Sequence, residues 1–382
     1  MSNTSHGNVP EIGIGIIGFG FIGKVHAFGY QNQPLFYDPP PARPRLVGVC
    51  TSREETARTA RETGGFEFGT TRFEDLLERD DIHAISVATP NDLHRDQVIA
   101  ALEAGKHVYC DKPLAVSLDE AREMIAVADA HRELLTGMAF QMRFCPATMR
   151  ARQLIADGFL GRVYHFRASY LHAGYADPKR PMSWRLGPDG GCLADLGSHA
   201  IDLMRFLLGE YASVRGTLQR WIDERPKEAG SDEMVPVEVD DYCCLQARMA
   251  SGALGFIEAS RFATGTQDDA GFEIYGEKGA LRWSMMDPNY LDAWDEGASG
   301  ERKGFTRIAT VQQYPAPSAL PSPKLPVGWM RFHLHAVHDF LSAIASGEPG
   351  AATLHDGAAT QAVDEAVRLS DASGAWEDVP AV

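Results

Sequence analysis

Residues 11–23 read EIGIGIIGFGFIG, and this stretch decides the fold of the first half of the chain. The β-branched run 11–17 predicts a buried strand, and the segment after residue 23 is compatible with a helix. Gly18 permits a tight turn, Gly20 lets the backbone approach a pyrophosphate, and Gly23 lets helix and strand pack closely. We therefore predict a dinucleotide-binding loop, with an ordinary glycine turn as the alternative. Its residues are Gly18, Phe19, Gly20, Phe21, Ile22 and Gly23.

Strand-like and helical segments alternate through the first 140 residues, which predicts an α/β domain with a parallel sheet. The strand-like runs are 11–17, 46–50, 84–88 and 106–110, and the helical segments are 54–62, 96–104 and 118–131. Beyond residue 140, strand-like runs cluster around a helix at 198–208, which predicts an α+β domain with a large open, mainly antiparallel sheet. We expect domains at 1–140 and 141–382, with C-terminal helices able to pack back on the first.

The composition excludes several classes of protein. A net charge of -16 argues against nucleic acid and anionic membranes as partners. No apolar run approaches the roughly 20 residues of a spanning helix, and the first ten residues lack a secretory signal. The six cysteines have no metal-like spacing, and Cys243 and Cys244 should point to opposite faces of a strand. We expect a cytoplasmic protein with reduced thiols.

The end of the second strand bears on the choice of cofactor. NAD enzymes usually carry an acid there, which binds the ribose 2′-hydroxyl. This chain has Thr51, Ser52 and Arg53 instead. Hydroxyl groups and a guanidinium suit a 2′-phosphate, so the charge argument favours NADP over NAD. The alternative is that Arg53 is a solvated first-turn residue and that NAD binds without the acid.

Two further motifs follow strands, at carboxyl ends where open α/β sheets bind ligands. Thr89, Pro90 and Asn91 come after the strand 84–88, and Asn91 or His94 could contact the nicotinamide or the substrate. Asn91 could equally cap the next helix. Asp111 and Lys112 come after the strand 106–110, and an ammonium there can polarise a substrate hydroxyl. The alternative for Lys112 is an ordinary surface lysine.

Asp195 and His199 stand four residues apart at the predicted entry to helix 198–208. In the first turn the helix dipole would keep the His199 imidazole neutral and able to accept a proton. Asp195 could orient His199, and Asp202 could hold it from one turn further on. The alternative is a carboxylate cap beside a structural histidine.

Two C-terminal features are ambiguous. His333, His335 and His338 resemble a metal cluster, but the first two do not share a helix face, so we expect no metal. The proline-rich stretch 314–328 cannot hold a regular element. It is a connector, a lid or an arm onto another subunit.

Together, four motifs resemble the Gfo/Idh/MocA oxidoreductase family. They are Gly18–Gly23, Thr89-Pro90-Asn91 with His94, Asp111-Lys112-Pro113, and Gly190-Gly191 with Asp195 and His199. The family's Glu-Lys-Pro is Asp-Lys-Pro here, a shortened acid that leaves the lysine's role intact. The resemblance implies an N-terminal Rossmann domain, a homodimer or homotetramer formed through the open sheet, and oxidation or reduction of sugars and polyols without metal. It also implies that Lys112, Asp195 and His199 are catalytic.

A second set of motifs is similar to the levoglucosan dehydrogenase branch of that family. They are Tyr30 with Pro34-Leu35-Phe36, Thr89-Pro90-Asn91, Ala176-Asp177-Pro178 with Ser183-Trp184-Arg185, and Val239-Asp240-Asp241. This branch oxidises an anhydrosugar at its C3 hydroxyl and is usually linked to NAD. The resemblance implies that the substrate pocket is lined by Gln141, Arg143, Tyr170, Trp184 and Arg185 beside the catalytic residues.

The sequence thus predicts hydride transfer between a secondary hydroxyl of a cyclic sugar and a nicotinamide. An inositol or polyol dehydrogenase, or an NADPH-dependent keto-sugar reductase, would use the same residues. A non-catalytic dinucleotide sensor is the alternative from another class of protein.

Overall fold

The computed structural model describes residues 9–311, 314–322 and 324–382. Residues 1–8, which we expected to carry no signal, and Pro323 of the proline-rich stretch lie outside that range. The chain forms two compact units, neither of them continuous in sequence. Unit 1 comprises Met1–Ala115, Asp119–Phe144 and Gln312–Ala358. Unit 2 comprises Val116–Leu118, Cys145–Val311 and Ala359–Val382.

The strands and helices of the described residues are numbered in chain order. The strands are β1 (Glu11–Ile17), β2 (Arg43–Cys50), β3 (Phe68–Thr70), β4 (Ala84–Val87), β5 (His107–Cys110), β6 (Thr136–Met138), β7 (Val163–Leu171), β8 (Tyr211–Gln219), β9 (Glu224–Pro226), β10 (Met234–Pro236), β11 (Tyr242–Met249), β12 (Leu254–Ser260), β13 (Asp269–Gly276), β14 (Gly279–Ser284), β15 (Tyr290–Asp295), β16 (Phe305–Ala309) and β17 (Glu377–Asp378). The helices are α1 (Phe21–Gln31), α2 (Gln33–Phe36), α3 (Glu54–Gly64), α4 (Glu74–Leu77), α5 (His94–Glu103), α6 (Leu118–Ala130), α7 (Pro146–Ala156), α8 (Ser198–Leu208), α9 (Trp329–Ser346) and α10 (Leu354–Ser373).

Unit 1 is built on a six-stranded parallel sheet in the order β3-β2-β1-β4-β5-β6. This is the order of dinucleotide-binding doubly wound folds, in which ligands bind where the strand order reverses, here between β1 and β4. Ile14, Ile16 and Val87 are fully buried because helices cover both faces of a parallel sheet. The predicted α/β domain is confirmed.

Helix α9 returns the chain to unit 1 and packs on α1. Gly29 of α1 makes the close approach possible, because a Cβ there would lie 2.8 Å from Val337 Cγ2. The proline-rich stretch before α9 is also anchored in unit 1. The Asp38 N–H donates to Pro317 O over 3.0 Å, and the Ala319 N–H donates to Phe36 O over 2.8 Å. The segment therefore completes the first unit, although it lies in the range 141–382 that we expected to form the second domain.

Unit 2 contains a nine-stranded sheet in the order β16-β15-β14-β13-β7-β12-β11-β8-β17. Among the described pairings in this sheet only β7 and β12 run parallel, so the expected mainly antiparallel sheet is confirmed. Helices α7 and α8 pack on one face. The opposite face exposes Leu254, Phe256 and Phe305, at 54%, 40% and 40%.

Several smaller sequence expectations have clear outcomes. Cys243 is buried and Cys244 is half-buried on the other face of β11, as alternation along a strand requires. All six cysteines are unpaired. In the described residues, no helix is long and apolar enough to span a bilayer. The sequence patterns missed β8, β15, β16 and β17, which belong to the same large sheet.

Candidate active site

The glycine loop between β1 and α1 has the geometry that a pyrophosphate requires. Gly18 has φ +88°, and a Cβ there would lie 2.5 Å from Ala88 O. A Cβ on Gly23 would collide with Gly18 O, so only glycine lets α1 approach the loop. At Gly20 a Cβ would meet nothing within 4 Å, which leaves open space in front of the backbone. The loop therefore fits a dinucleotide phosphate at the start of α1.

The aromatic residues of the loop have different surroundings. Phe19 packs edge-to-face on Phe66, with ring centroids 5.5 Å apart. Phe21 is 69% exposed, and its ring stacks at 5.7 Å on Trp329 at the start of α9. Ile22 is half-buried. Phe21 and Trp329 thus form an exposed aromatic pair beside the loop.

The end of β2 carries hydroxyl groups and cations but no carboxylate. The Thr51 hydroxyl lies 2.7 Å from the Thr56 hydroxyl and donates to Arg53 O over 3.1 Å. Ser52 is exposed. Arg53, Lys24 and Glu55 line one cavity of about 610 Å³ between α1 and α3, so two cations and one carboxylate face it. The place where NAD enzymes usually carry an acid is therefore basic and hydroxylated here.

Two motif loops meet at the carboxyl ends of β4 and β5, which are adjacent in the sheet. His94 joins them: its Nδ1 lies 3.0 Å from Pro113 O and its Nε2 lies 3.1 Å from Thr89 O. Burial lowers the pKa of His94, and its hydrogen bonds to backbone carbonyls oppose that shift. The side chain is 1% exposed. His94 is therefore a buried residue that links the Thr89 loop to the Lys112 loop. Its contact with the cofactor stays a prediction.

The neighbouring motif residues are held by their strands. The Asp111 N–H donates to Val87 O over 2.9 Å, which continues the β4–β5 ladder into the Lys112 loop. The Thr89 hydroxyl donates to Gln97 Oε1 over 2.7 Å, and Pro90 precedes a short 3₁₀ turn (Asn91–Leu93). Asn91 is 2% exposed. The glycine loop, the Thr89 loop and the Lys112 loop therefore lie at the same edge of the sheet, where strands β1, β4 and β5 end.

A buried histidine lies near Lys112. Burial holds the pKa of His333 well below its usual value, with smaller contributions from His26 and from the Lys112 charge. Burial likewise lowers the pKa of His26 to about 3. His26 Nδ1 lies 2.9 Å from the Ser86 hydroxyl. Lys112 therefore lies near one neutral imidazole, that of His333, which adds no positive charge next to the Lys112 ammonium.

Asp195 and His199 belong to one continuous helical segment of unit 2. Asp195 lies in a π-helical turn (Leu193–Gly197) that runs directly into α8. The expectation that His199 occupies a first turn is wrong, because helical backbone begins at Cys192. The Leu193 N–H donates to Asp240 Oδ2 over 2.7 Å, so Asp240 caps this earlier start. Single π-helical turns often occur at functional sites.

Two arginines contact the Asp195 carboxylate. Arg261 Nη2 donates to Asp195 Oδ2 over 2.9 Å, and Arg185 Nε lies 3.5 Å from the same oxygen. The Arg261 side chain is fully buried, whereas that of Arg185 is 33% exposed. The sequence analysis missed Arg261. A signal was present, because a charged residue directly follows the buried strand β12, at the edge where parallel β7 also ends.

Tyr170, near the end of β7, lies beside His199 with ring centroids 5.5 Å apart. Burial raises the pKa of the Tyr170 hydroxyl well above its usual value, and the charges of Asp268 and Asp195 add to the shift. His172 has its pKa lowered, chiefly by burial. His199 is 6% exposed and Asp202 is 1% exposed. Unit 2 therefore brings Asp195, His199 and Tyr170 together, while the part of Asp202 stays a prediction.

The other predicted substrate residues are divided between the units. Trp184 is 38% exposed in unit 2, and the Arg185 guanidinium lies 4.3 Å above its ring. Gln141 and Arg143 are buried in a 3₁₀ turn (Gln141–Phe144) of unit 1. Arg143 donates to Ala351 O over 2.6 Å and pairs with Asp356 at 3.1 Å. These contacts explain Arg143 without a substrate, so its pocket role stays a prediction.

The three histidines of α9 have separate environments. Besides buried His333, His335 Nδ1 lies 2.7 Å from the Tyr37 hydroxyl, and His338 stacks on the Tyr37 ring at 3.6 Å. Arg331 donates to the same hydroxyl over 2.6 Å. No group of three or more metal-ligating side chains occurs in residues 9–311, 314–322 and 324–382. His335 and His338 therefore pack on Tyr37, and together with Arg331 they hold the first half of α9 against the segment that follows α2.

Both units match one protein family. Residues 12–137 match the oxidoreductase family with an NAD-binding Rossmann fold, and residues 148–282 match the GFO/IDH/MocA C-terminal domain. The chain belongs to the Gfo/Idh/MocA oxidoreductase family. The expected enzyme class and fold are thereby confirmed, and an NAD-binding domain is shown.

Among members of the Gfo/Idh/MocA family, levoglucosan dehydrogenase of Pseudarthrobacter phenanthrenivorans is 35% identical over 98% of this chain and 100% of its own length. A solved structure of a levoglucosan dehydrogenase with NADH and levoglucosan has a TM-score of 0.93 and 35% identity, and covers 97% of this chain and 100% of that one. Inositol 2-dehydrogenase of Rhizobium meliloti is 30% identical over 93% of this chain and 95% of its own. The predicted resemblance to both kinds of Gfo/Idh/MocA enzyme is confirmed.

Proposed function

We propose that this enzyme oxidises a secondary hydroxyl of a cyclic anhydrosugar of the levoglucosan kind, at C3, with a nicotinamide dinucleotide as oxidant. The observation that carries the proposal is the Asp195–His199–Tyr170 cluster within unit 2. Within unit 1, the Lys112 loop and the glycine loop lie at the same edge of the parallel sheet, which supports it. The identity to levoglucosan dehydrogenase along nearly the whole chain supports the substrate class. The inositol dehydrogenases among the relatives keep a cyclic polyol as the second candidate.

In the proposed mechanism the chain's own residues bind and deprotonate the alcohol. The Lys112 ammonium donates a hydrogen bond to the reacting oxygen and stabilises the charge that develops on it. The His199 imidazole takes the hydroxyl proton, and the Asp195 carboxylate orients the alcohol and the imidazole. When bound, the nicotinamide supplies the hydride acceptor. Gly18, Gly20 and Gly23 would hold its pyrophosphate.

The decisive experiment compares wild-type protein with Lys112→Ala and with Lys278→Ala, an exposed lysine of unit 2 that serves as the matched control. Nicotinamide reduction is followed with levoglucosan, myo-inositol and hexoses, each offered with NAD and with NADP. We expect oxidation of levoglucosan to fall by a hundredfold or more in Lys112→Ala, on the scale of a lost preorganised donor. Lys278→Ala should retain wild-type turnover.

The other outcomes are equally informative. Lys112-dependent reduction with myo-inositol alone would replace the anhydrosugar by a polyol. A loss smaller than about threefold in Lys112→Ala would remove Lys112 from the mechanism. Absence of dinucleotide binding by wild-type protein would overturn the proposal as a whole.

For the cofactor we propose a preference for NADP over NAD. The support is the end of β2, where two cations, Arg53 and Lys24, and one carboxylate, Glu55, line a cavity beside the Thr51 and Thr56 hydroxyls. A guanidinium binds a phosphate with two parallel hydrogen bonds, whereas it gains less from a ribose hydroxyl. Arg53→Ala should weaken NADP binding by about tenfold or more and leave NAD binding within about threefold. An equal loss for both cofactors would contradict the preference.

We also propose that the enzyme is a cytoplasmic homodimer or homotetramer. The exposed sheet face with Leu254, Phe256 and Phe305 supports association, since monomers rarely expose large apolar patches. Six unpaired cysteines suit a reducing compartment. Light scattering on wild-type protein and on Phe256→Glu tests the interface: the variant should dissociate. A monomeric wild-type protein would overturn this assignment.

A further inference from the structure

Two arginines that contact the Asp195 carboxylate differ in burial. Arg261 is fully buried and donates to Asp195 Oδ2 over 2.9 Å. Arg185 reaches the same oxygen at 3.5 Å, is one-third exposed, and stacks on Trp184. A buried guanidinium cannot exchange its partner for water without a large cost. Arg261 is therefore the fixed partner, and Arg185 is the one that can turn to a ligand.

Arg261 is held by its surroundings. Its Nη1 donates to Arg185 O over 3.1 Å, and its Nη2 donates to Gly191 O over 2.8 Å. Its guanidinium lies 4.6 Å from the Tyr175 ring centroid, and its backbone N–H donates to Asp241 O over 3.0 Å. The planar fork thus spans two loop carbonyls and one carboxylate, an arrangement that an ammonium cannot reproduce.

We infer that Arg261 is a positioning residue that keeps Asp195 an oriented carboxylate throughout the reaction, so that His199 alone carries the substrate proton. The inference rests on the proposed function and deepens it, because it gives a physical reason for the division of roles between Asp195 and His199. An opposite charge in direct contact favours the ionised form of a carboxyl group. With Arg261 in place, Asp195 accepts hydrogen bonds but releases no proton.

Other titratable groups also face this pair and are common to every variant tested. The Asp195 charge raises the pKa of Tyr170 and of His172, and the Asp240 charge raises the pKa of Arg261. The charge of Asp268, the residue before β13, raises the pKa of Tyr170 and of His172. The charge of Arg180 lowers the pKa of His172. The Arg261 charge also lowers the pKa of His172 and of Asp240, so these two groups shift as well in Arg261→Met. A shifted acid limb is therefore assigned to Asp195 by following the carboxyl signal of Asp195 in the same variant.

The test measures kcat/KM for levoglucosan between pH 5 and 9 in wild-type enzyme, Arg261→Lys and Arg261→Met. We expect the acid limb of Arg261→Met to move upward by about one pH unit or more, because the carboxyl group loses its counter-charge. Arg261→Lys keeps the charge without the fork, so its acid limb should stay near that of wild type while its kcat falls. An Arg261→Met profile that is lower but unshifted would overturn the inference.

A measurement on wild-type enzyme covers the case in which the variants fail to fold. Carboxyl-¹³C aspartate labelling, with the Asp195 signal assigned from its loss in Asp195→Asn, follows the charge of that group directly. The signal should stay that of a carboxylate from pH 5 to 9. Titration within this range would overturn the inference. The proposed function fails separately, when wild-type enzyme shows no Lys112-dependent oxidation at all.

Discussion

Replacing Gly191 by alanine tests the link between the Asp240 cap and the helical segment that carries Asp195. Gly191 has φ +105°, and a Cβ there would collide with Asp240 Oδ1. Asp240 is 6% exposed, and its other oxygen accepts the Leu193 N–H over 2.7 Å. The substitution therefore adds backbone strain and displaces a buried cap. Gly252→Ala is the matched control, since Gly252 has φ +87° and a Cβ there would meet nothing within 4 Å.

The losses in free energy of unfolding caused by the two substitutions should differ by the energy of the hydrogen bond between the Leu193 N–H and Asp240. A left-handed backbone costs an alanine about 1–2 kcal/mol, and both variants carry that cost. Displacing the Asp240 carboxylate from a buried N–H costs a further 1–3 kcal/mol, roughly. We expect Gly252→Ala to lower the free energy of unfolding by about 1–2 kcal/mol and Gly191→Ala by about 2–5 kcal/mol.

Urea unfolding followed by tryptophan fluorescence suits this comparison, because Trp184, Trp221, Trp283, Trp294 and Trp376 all belong to unit 2. Gly191→Ala should also lower kcat/KM by about tenfold or more, because the turn that holds Asp195 shifts with its cap, whereas Gly252→Ala should keep wild-type activity. Equal losses of stability in the two variants, with full activity in both, would refute the role of the cap.

Three further predictions concern unit 1. Burial raises the pKa of Asp339 to about 6. The contribution of Asp339 to the free energy of unfolding should therefore fall as pH rises from 4 to 7. Urea unfolding should show Asp339→Asn gaining roughly 3 kcal/mol on wild type over that range; a constant difference would contradict this. Burial lowers the pKa of His338 to about 4, so the contribution of His338 has the opposite sign and should be lost as pH falls from 6.5 to 4. His338→Phe, which keeps a ring against Tyr37, should lose less than wild type over the same titration. Phe340 is 1% exposed, so Phe340→Ala should cost about 3–5 kcal/mol by urea unfolding, and a loss below 1 kcal/mol would show that the core repacks.

The first half of the fold was predictable because its signals are local. The run of β-branched residues at β1 and the glycines after it determine strand, turn and helix within one short segment. The second sheet was harder to predict. Strands such as β15, with Asp292 and Asp295 among its residues, alternate only weakly between apolar and polar side chains. Their pairing depends on partners far along the chain, which no local pattern contains.

The motifs of the candidate site could be recognised in the sequence, whereas the residues that hold those motifs in place could not. Lys112, Asp195 and His199 stand in recognisable patterns, whereas Arg261 is one arginine among many in the sequence. Its importance depends on burial and on a carboxylate 66 positions away in the chain. The predicted bounds of the His199 helix agree with α8, but the π-helical turn that precedes α8 was missed for a similar reason. Asp240, which caps the earlier start, lies 47 residues from Leu193.

The return of residues 312–358 to unit 1 has a consequence for synthesis of the chain in the cell. A ribosome releases the first 144 residues long before it reaches residue 358, because 358 − 144 leaves 214 residues still to be made. At about 5–20 residues per second, this delay is roughly 10–40 s. Throughout it, the surface of α1 around Gly29 lacks α9 and its Val337. A nascent chain stalled in that interval would offer chaperones this bare helix face, and fragments that end near residue 150 should depend on them.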